Sequence, residues 1–152
     1  MTEAPVAAVR DVVLGMWQAI SRRDWNALTQ YIAEDCVYVD VPVPMLAARG
    51  ADDVVTMLRL LLEPLAGYEH AGELVVCDGS DVIYEHSETW TFPTGERGTR
   101  TLVSVHKVID GRVTACRNYW DAATFMSFAP PAYCEAFGTG DPALAFDATV
   151  LI

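Results

Sequence analysis

Apolar positions recur at helical spacing in three segments of the N-terminal half. The first, Val6–Ile20, places its hydrophobic side chains on one face, which predicts an amphipathic helix of about four turns. Asp24 is suited to cap a short second helix that runs through Ile32. A third helix is predicted after Gly50, and Pro64 ends it, because proline cannot continue a helix.

The period then changes from 3.6 to 2, which is typical of strands. Cys36–Val41 already alternates strictly between polar and apolar residues. Asp78-Gly79 and Asp110-Gly111 predict tight hairpin turns, and Pro93–Gly98 predicts a longer loop. The four strands that these connections join are Gly67–Cys77, Asp81–Phe92, Arg100–Ile109 and Arg112–Trp120.

Helices followed by an antiparallel meander predict an α+β domain. We expect a cone-shaped, curved antiparallel sheet wrapped around the three N-terminal helices, with a cavity between them. Residues 1–125 make up this domain. Residues 126–152, broken by Pro130-Pro131, are expected to be an irregular tail of the same domain that serves as a lid or as a partner contact.

The charge of the chain excludes several classes of partner. Its 152 residues include 21 acidic and 10 basic side chains, for a net charge of −11. This balance argues against binding to nucleic acid and against adhesion to anionic membranes. No apolar run reaches the roughly 18 residues of a membrane span, and the segment Met1–Arg10 lacks the basic start of a signal peptide. We expect a cytoplasmic protein.

Cysteine and histidine spacing indicates no metal site. The cysteines are widely separated, which favours free thiols in a reducing compartment. The three histidines do not form a metal-binding spacing, and neither a phosphate-binding glycine motif nor a G-x-S-x-G motif is present. We therefore expect neither a metal nor an organic cofactor.

The predicted strand Asp81–Phe92 carries unusual polar residues on its apolar face. Alternation places His86 and Glu88 on that face, about 7 Å apart, between aromatic residues. Burying a carboxylate there costs several kcal/mol unless it is paired or protonated, which points to a functional site. The alternative is that His86 and Glu88 satisfy one another in the core.

Two other strands supply candidate polar groups. Tyr38 and Asp40 share one face of the first strand, pointing into the cavity or into solvent, and Asn118 lies on the inward face of the last strand with room around it. An inward amide needs hydrogen-bond partners. His106 is interpreted as a hydrogen-bonded core residue.

These motifs together resemble the nuclear-transport-factor-2-like superfamily, and within it limonene-1,2-epoxide hydrolases and SnoaL-like polyketide cyclases. The resemblance covers about Val6–Phe125, and it implies the SnoaL-like, or cystatin-like, α+β barrel. Its anchors are Tyr31–Asp35, Tyr38–Asp40, Pro93–Gly95 and Arg117–Asp121.

The resemblance also implies roles for individual residues. Limonene epoxide hydrolases hold one water with a Tyr, an Asn and an Asp, and an Arg links that Asp to a second, proton-donating Asp. These positions fall here on Tyr38, Asp40, Asn118, His86 and Glu88 in turn, so that carboxylate and amide have exchanged places.

Ketosteroid isomerases provide a second comparison, in which the general-base aspartate also falls on Asp40. Their oxyanion-hole tyrosine falls near Met16, and their protonated aspartate near Ser104 or Val105. Both donors are missing, so ketosteroid isomerisation itself is not expected.

These observations predict an acid–base enzyme that acts on a small apolar cyclic molecule. Asp40, assisted by Tyr38 and Asn118, deprotonates a water or an acidic C–H, and Glu88, held by His86, transfers the second proton. We expect Asp40, Glu88 and Asn118 to converge on one open cavity. The side chains expected to line its apolar walls are Trp17, Ile20, Met57, Leu61, Trp90, Leu102 and Trp120.

The reaction is left open between several classes. Epoxide opening comes first, and isomerisation, dehydration or cyclisation is the alternative. The rival interpretation is a non-catalytic binding or dimerisation module whose pocket is filled by its own side chains. A homodimer, paired through the convex face of the sheet, is the expected assembly.

Overall fold

Six strands form one curved sheet in the computed structural model, which describes residues 6–139 and 146–152. Helices pack on the concave face of this sheet. The helices are α1 (Val6–Arg22), α2 (Trp25–Leu28), α3 (Ala51–Leu62), α4 (Ala122–Met126) and α5 (Pro131–Thr139). The strands are β1 (Ile32–Asp40), β2 (Ala48–Arg49), β3 (Gly67–Asp78), β4 (Asp81–Thr91), β5 (Arg97–Ile109) and β6 (Arg112–Trp120). This architecture confirms the predicted α+β class.

The sheet has the strand order β2-β1-β6-β5-β4-β3. Strands β3 to β6 form the predicted antiparallel meander. The difference from prediction is at β1, which runs parallel to β6. Parallel neighbours need a long connection, and here the rest of the sheet lies between them in sequence. The parallel register sets Asp40 beside Asn118 and Tyr38 beside Cys116.

Two segments differ from the sequence prediction. The second helix ends at Leu28 instead of continuing through Ile32. The Tyr31 carbonyl accepts a sheet hydrogen bond of 2.8 Å from Val113, and Ile32 opens β1, so strand pairing prevails over helical periodicity. The expected irregular tail instead contains α5, and α4 lies directly before it and ends at Met126. Residues 140–145 of the tail lie outside the described residues.

The predicted Asp110-Gly111 turn forms where expected, with φ of 50° and 74° at its two residues. Positive φ at both central residues is the conformation of a two-residue hairpin turn whose twist matches that of the flanking strands. The β3–β4 turn lies one residue later than predicted: Asp78 still pairs with Asp81, and the two central residues are Gly79, with φ 55°, and Ser80. These turns set the register of β3 with β4 and of β5 with β6.

The main core lies between the concave face of the sheet and helices α1 and α3. The first helix buries the apolar face that was predicted from its periodicity. Its buried side chains are Val9, Val13, Met16, Trp17 and Ile20. All four cysteines are free thiols, of which Cys36 and Cys116 are buried. In the described part of the chain, no helix has the length and hydrophobicity needed to cross a bilayer.

The convex face of the sheet exposes several apolar side chains, among them Leu74, Val76, Ile83 and Tyr119. Pairing of Val76 with Ile83 across β3 and β4 brings two of them together. The homodimer that was expected through this face stays a prediction.

Candidate active site

Glu88 lies on the inward face of β4 and is 4% exposed. Its Oε1 accepts a hydrogen bond of 2.6 Å from the Tyr68 hydroxyl. Its Oε2 accepts from the Trp90 indole N–H at 3.1 Å and from Arg100 Nε at 2.9 Å. Burial by itself raises the pKa of Glu88, but the charge of Arg100 and the hydrogen bond from Tyr68 hold that pKa below its ordinary value. Glu88 is therefore an ionised carboxylate with three donors.

Arg100 faces Glu88 across the β4–β5 pair and is buried. Its guanidinium carbon lies 5.0 Å from the ring centre of Trp90, 4.4 Å from that of Trp120 and 5.1 Å from that of Phe125. Aromatic faces attract a desolvated cation, so these rings compensate part of the cost of burial. Arg100 was missed by the sequence interpretation.

A sequence signal for Arg100 does exist. Residues 100, 102, 104, 106 and 108 share one face of a strand by alternation, and all five side chains are buried. The predicted strand began at Arg100, where a charged terminal residue is normally solvated. The strand instead begins at Arg97, which makes Arg100 an interior position.

Asp40 ends β1 and is partly buried. Its Oδ1 accepts a hydrogen bond of 2.8 Å from the Trp120 indole N–H. Burial raises the pKa of Asp40 above its ordinary value, although the Arg100 guanidinium and the Trp120 N–H act in the opposite direction. Asp40 and Glu88 thus have pKa values displaced in opposite directions, and of the two Asp40 has the stronger tendency to bind a proton.

Asp40 also lines a cavity of about 20 Å³. A buried water needs roughly 10–15 Å³, so the cavity has room for one or two water molecules. Its walls are Asp40, Leu61, Trp90, Arg100, Trp120, Phe125 and Tyr133. Phe125 comes from α4 and Tyr133 from α5, so these two helices cover the cavity. The Tyr133 hydroxyl donates to the Leu61 carbonyl at 3.0 Å.

The expected convergence of Asp40, Glu88 and Asn118 on this cavity is met by Asp40 only. Glu88 binds Arg100, and the Arg100 side chain, not that of Glu88, lines the cavity. Asn118 is fully buried beside Asp40 in the β1–β6 register and is not part of the wall. The prediction that three polar side chains open into one pocket is therefore wrong for two of them.

In the Asn118 amide, the oxygen has hydrogen-bond partners and the nitrogen has none among the described residues. Its Oδ1 accepts hydrogen bonds from the Ser104 hydroxyl at 2.6 Å and from the Cys116 thiol at 3.3 Å. Its buried Nδ2 has no hydrogen-bond partner among the described residues. The Asn118 side chain also lowers the pKa of Asp40, which indicates that the amide N–H groups face that carboxyl.

Tyr38 is buried on the same face of β1 as Asp40. Burial and the nearby charge of Asp40 raise the pKa of Tyr38 well above its ordinary value. Its hydroxyl is therefore protonated and able to donate.

His86 does not hold Glu88, in contrast to the sequence prediction. Its Nδ1 lies 3.0 Å from His70 Nε2, and its Nε2 lies 2.8 Å from the Ser104 hydroxyl. Side chains two apart on one strand share a face, but the hydrogen bonds here run to neighbouring strands instead. Burial lowers the pKa of His86 to about 3, so the ring is neutral.

His106 is the hydrogen-bonded core residue that was expected. It accepts from the Trp17 indole N–H at 2.9 Å through Nε2 and donates through Nδ1 to the Val82 carbonyl at 3.1 Å. Burial lowers its pKa to about 4. This arrangement requires a neutral ring with the proton on Nδ1.

The apolar residues that were expected to line the pocket divide into two groups. Leu61, Trp90 and Trp120 line the cavity. The others belong to the core or pack against it, and they do not line the cavity: Trp17, Ile20, Met57 and Leu102. These side chains contact other core side chains instead of open space. The Trp17 ring, for example, stacks on His70, and its indole N–H donates to His106.

No group of three or more His, Cys, Asp or Glu side chains suited to a metal ion occurs within residues 6–139 and 146–152. The charged groups of the candidate site are the Asp40 carboxylate and the Arg100 guanidinium, which line the cavity, and the Glu88 carboxylate, which binds Arg100.

A model of the SnoaL-like domain family matches residues 13–116. The chain belongs to the SnoaL-like family. Among solved structures, an LEH-like epoxide hydrolase from M. tuberculosis has a TM-score of 0.71 at 23% identity, over 80% of this chain and 89% of the other. A putative polyketide cyclase from Xanthomonas campestris has a TM-score of 0.70 at 18% identity, over 81% and 97%.

A putative ketosteroid isomerase from Kribbella flavida matches with a TM-score of 0.63 at 21% identity, over 83% of this chain and 84% of that one. These matches confirm the NTF2-like fold that the motifs suggested. The names of these structures include a hydrolase, a cyclase and an isomerase, so the fold alone does not specify the reaction.

Proposed function

We propose that this SnoaL-like protein is an acid–base enzyme in which Asp40 is the general base, acting on a small apolar molecule without a metal or an organic cofactor. The observation that carries the proposal is the position of Asp40: it is the carboxylate on the wall of a cavity that has room for water, with the Arg100 guanidinium on the same wall. A base next to a fixed cation is suited to a reaction that removes a proton and leaves negative charge on a substrate oxygen.

The leading reaction is hydrolysis of an epoxide. Asp40 accepts a proton from a water molecule while the water oxygen bonds to an epoxide carbon and the ring C–O bond breaks. Arg100, which lines the same cavity, stabilises the alkoxide, and the proton held by Asp40 then passes to it. The products are a vicinal diol and the regenerated carboxylate.

Glu88 has a different role in this mechanism from the one predicted from sequence. A carboxylate that accepts three hydrogen bonds and has a lowered pKa is a poor proton donor. Its role is to hold Arg100 at the cavity. The unpartnered Nδ2 of Asn118 supports a further donor on the Asp40 side of the site.

A second candidate is removal of a proton from carbon next to a carbonyl, as in isomerisation or cyclisation. The specific observation that favours it is the same ionised Glu88, because the site then contains a base and a cation but no carboxylic acid. Arg100 would stabilise an enolate oxygen in the way that it stabilises an alkoxide.

Either substrate has to displace side chains of α4 and α5. A cavity of about 20 Å³ does not admit a six-membered ring, so Phe125 and Tyr133 must move apart when substrate enters. Closure afterwards would exclude bulk water and strengthen the electrostatic interactions inside.

The test compares two reactions on one set of proteins. Cyclohexene oxide is incubated with excess enzyme in ¹⁸O-labelled water, and a cyclic β,γ-unsaturated ketone is followed for deuterium exchange in D₂O. The variants are Asp40→Asn and, as a matched control, Asp35→Asn, which alters an exposed aspartate on the same strand.

Labelled diol that falls by about 10²–10⁴-fold in Asp40→Asn and is unchanged in Asp35→Asn supports hydrolysis. Deuterium exchange of the ketone that falls in Asp40→Asn and is unchanged in Asp35→Asn supports proton removal from carbon instead. Unlabelled diol in the first turnover, or equal rates in wild type and Asp40→Asn, would overturn Asp40 as the base. No turnover of either probe by wild type would favour the non-catalytic module.

A further inference from the structure

Three hydrogen bonds link His70 at the edge of the core to Asn118 beside Asp40. His70 Nε2 lies 3.0 Å from His86 Nδ1, His86 Nε2 lies 2.8 Å from the Ser104 hydroxyl, and that hydroxyl lies 2.6 Å from Asn118 Oδ1. The participants come from β3, β4, β5 and β6. The chain of bonds therefore crosses four neighbouring strands of the sheet.

With Asn118 Oδ1 facing Ser104, the direction of every bond in this chain follows from that oxygen. Asn118 Oδ1 can only accept, so the single Ser104 proton is donated to it. Ser104 must then accept from His86, which requires the proton of His86 to be on Nε2. His86 Nδ1 is consequently an acceptor, and His70 must donate from Nε2.

The opposite direction is also a complete set of bonds. If the Asn118 amide were rotated by 180°, Nδ2 would donate to Ser104, Ser104 to His86 Nε2, and His86 Nδ1–H to His70 Nε2. The amide oxygen would then lie towards the Asp40 carboxylate, where like partial charges repel. The Cys116 thiol would also lose the acceptor that it has at 3.3 Å.

We propose that His70, His86 and Ser104 are positioning residues that hold the Asn118 amide with its N–H groups towards Asp40, and that the direction of this hydrogen-bond chain decides whether the Asp40 site is offered a donor or an acceptor. The inference deepens the proposed function, in which Asp40 is the base. The buried Nδ2 of Asn118, which has no other partner among the described residues, is then the donor held on the Asp40 side of the site.

The burial of its members favours one direction of donation along the hydrogen-bond chain from His70 to Asn118. His86, Ser104 and Asn118 are all fully buried, so reversal would have to be concerted. The ring of His70 is stacked on Trp17 with centroids 5.5 Å apart and an interplanar angle of 4°. The ring of His86 is stacked on Tyr84 at 4.6 Å and 12°. The aromatic contacts hold both imidazole planes in the orientation that the bonds require.

The first test reads the tautomers directly. Long-range ¹H–¹⁵N NMR of the wild-type protein with ¹⁵N-labelled histidine, near neutral pH, should show the proton of His70 and His86 on Nε2. His106 is an internal control with the proton on Nδ1, since it accepts from Trp17 through Nε2. Resonances are assigned with His70→Gln and His106→Gln. A proton on Nδ1 of His86 would overturn the proposal.

The second test asks whether the chain acts on Asp40. The Asp40 carboxyl is titrated by ¹³C NMR, with Asp40→Asn for assignment, in wild type, Ser104→Ala and Ser104→Thr. Removing the hydroxyl frees Asn118 to rotate, so the pKa of Asp40 should shift upward in Ser104→Ala and return towards the wild-type value in Ser104→Thr. Ser87→Ala, on the opposite face of the neighbouring strand, should leave it unchanged.

An unchanged Asp40 titration in folded Ser104→Ala would overturn the positioning role. If Ser104→Ala does not fold, the wild-type tautomers decide the matter. Neither measurement uses turnover, so an inactive wild type with the expected tautomers would remove the proposed function and leave this inference standing.

Discussion

Arg100 binds a single oxygen of Glu88 through two nitrogen atoms: Nε and Nη2 both lie 2.9 Å from Glu88 Oε2. The side chains are 9% and 4% exposed, and the two residues are direct partners across β4 and β5. The other oxygen of Glu88 is bound by Tyr68, so the carboxylate has no free side. This arrangement leaves Arg100 fixed against the cavity, between Glu88 and Asp40.

Replacing Arg100 by methionine should destabilise the fold by about 3–5 kcal/mol, since it leaves a buried carboxylate without its cation. The double variant Arg100→Met/Glu88→Gln should recover part of this loss, because the uncompensated charge is gone. Free energies of unfolding from urea titrations measure both effects. Arg97→Met is the control: its partner Glu69 is 69% exposed, and exposed pairs contribute at most about 1 kcal/mol. Equal losses in both single variants would contradict the buried-pair account.

Asp40 should make folding less favourable as pH rises. Its pKa is raised above 3.8 in the folded protein, so between pH 3.8 and the folded-state pKa the native state holds a proton that the unfolded chain has lost. Stability therefore falls with increasing pH across that window. Unfolding free energies of wild type and Asp40→Asn, measured from pH 3.5 upward in steps, should diverge in favour of the variant. A constant difference over the whole range would rule out the shift.

Glu88 should have the opposite pH dependence. Its folded-state pKa lies below 4.5, so between that pKa and pH 4.5 the unfolded chain holds the proton and the native state does not. The contribution of Glu88 is fully present above pH 4.5 and is lost as pH falls through its folded-state pKa. Comparison of wild type with Glu88→Gln by acid titration of the unfolding free energy should show the two curves converging towards low pH. Curves that keep a constant separation over the whole acid range would contradict the lowered pKa of Glu88.

Sequence patterns were sufficient for the fold class and for the antiparallel meander because the determining signals are local. Helical spacing in α1, strict alternation in β4 and the Asp-Gly turns each fix an element without reference to the rest of the chain. Alternation also placed Glu88 and Asn118 inside correctly, since a strand has only two faces. What it could not supply was the partner of each group. His86 and Glu88 share a face, yet each bonds across strands, and cross-strand register depends on turns and bulges over the whole sheet.

The bulge in β3 illustrates this limit of local patterns. Pairing of β3 with β4 shifts register between Gly72 and Leu74, so the face on which a β3 side chain lies changes along the strand. Tyr68 and His70, which bind Glu88 and His86, precede that shift. The parallel pairing of β1 with β6, which brings Asp40 to Asn118, likewise joins segments about 80 residues apart in sequence, and no short-range spacing encodes it.

Gly98 should control how tightly the tail covers the cavity. A Cβ atom at Gly98 would overlap the ring of Phe128, and that ring packs against Phe125 with centroids 5.3 Å apart. Gly98→Ala should therefore push Phe128 outward, destabilise the protein by about 1–3 kcal/mol and loosen α4 and α5. Hydrogen exchange measured by mass spectrometry should become faster in residues 122–136 and stay unchanged in β4. Gly67→Ala is the matched control, because its Cβ would meet the Thr91 side chain only at 3.3 Å. Equal exchange of the tail in both variants would show that Phe128 does not anchor it.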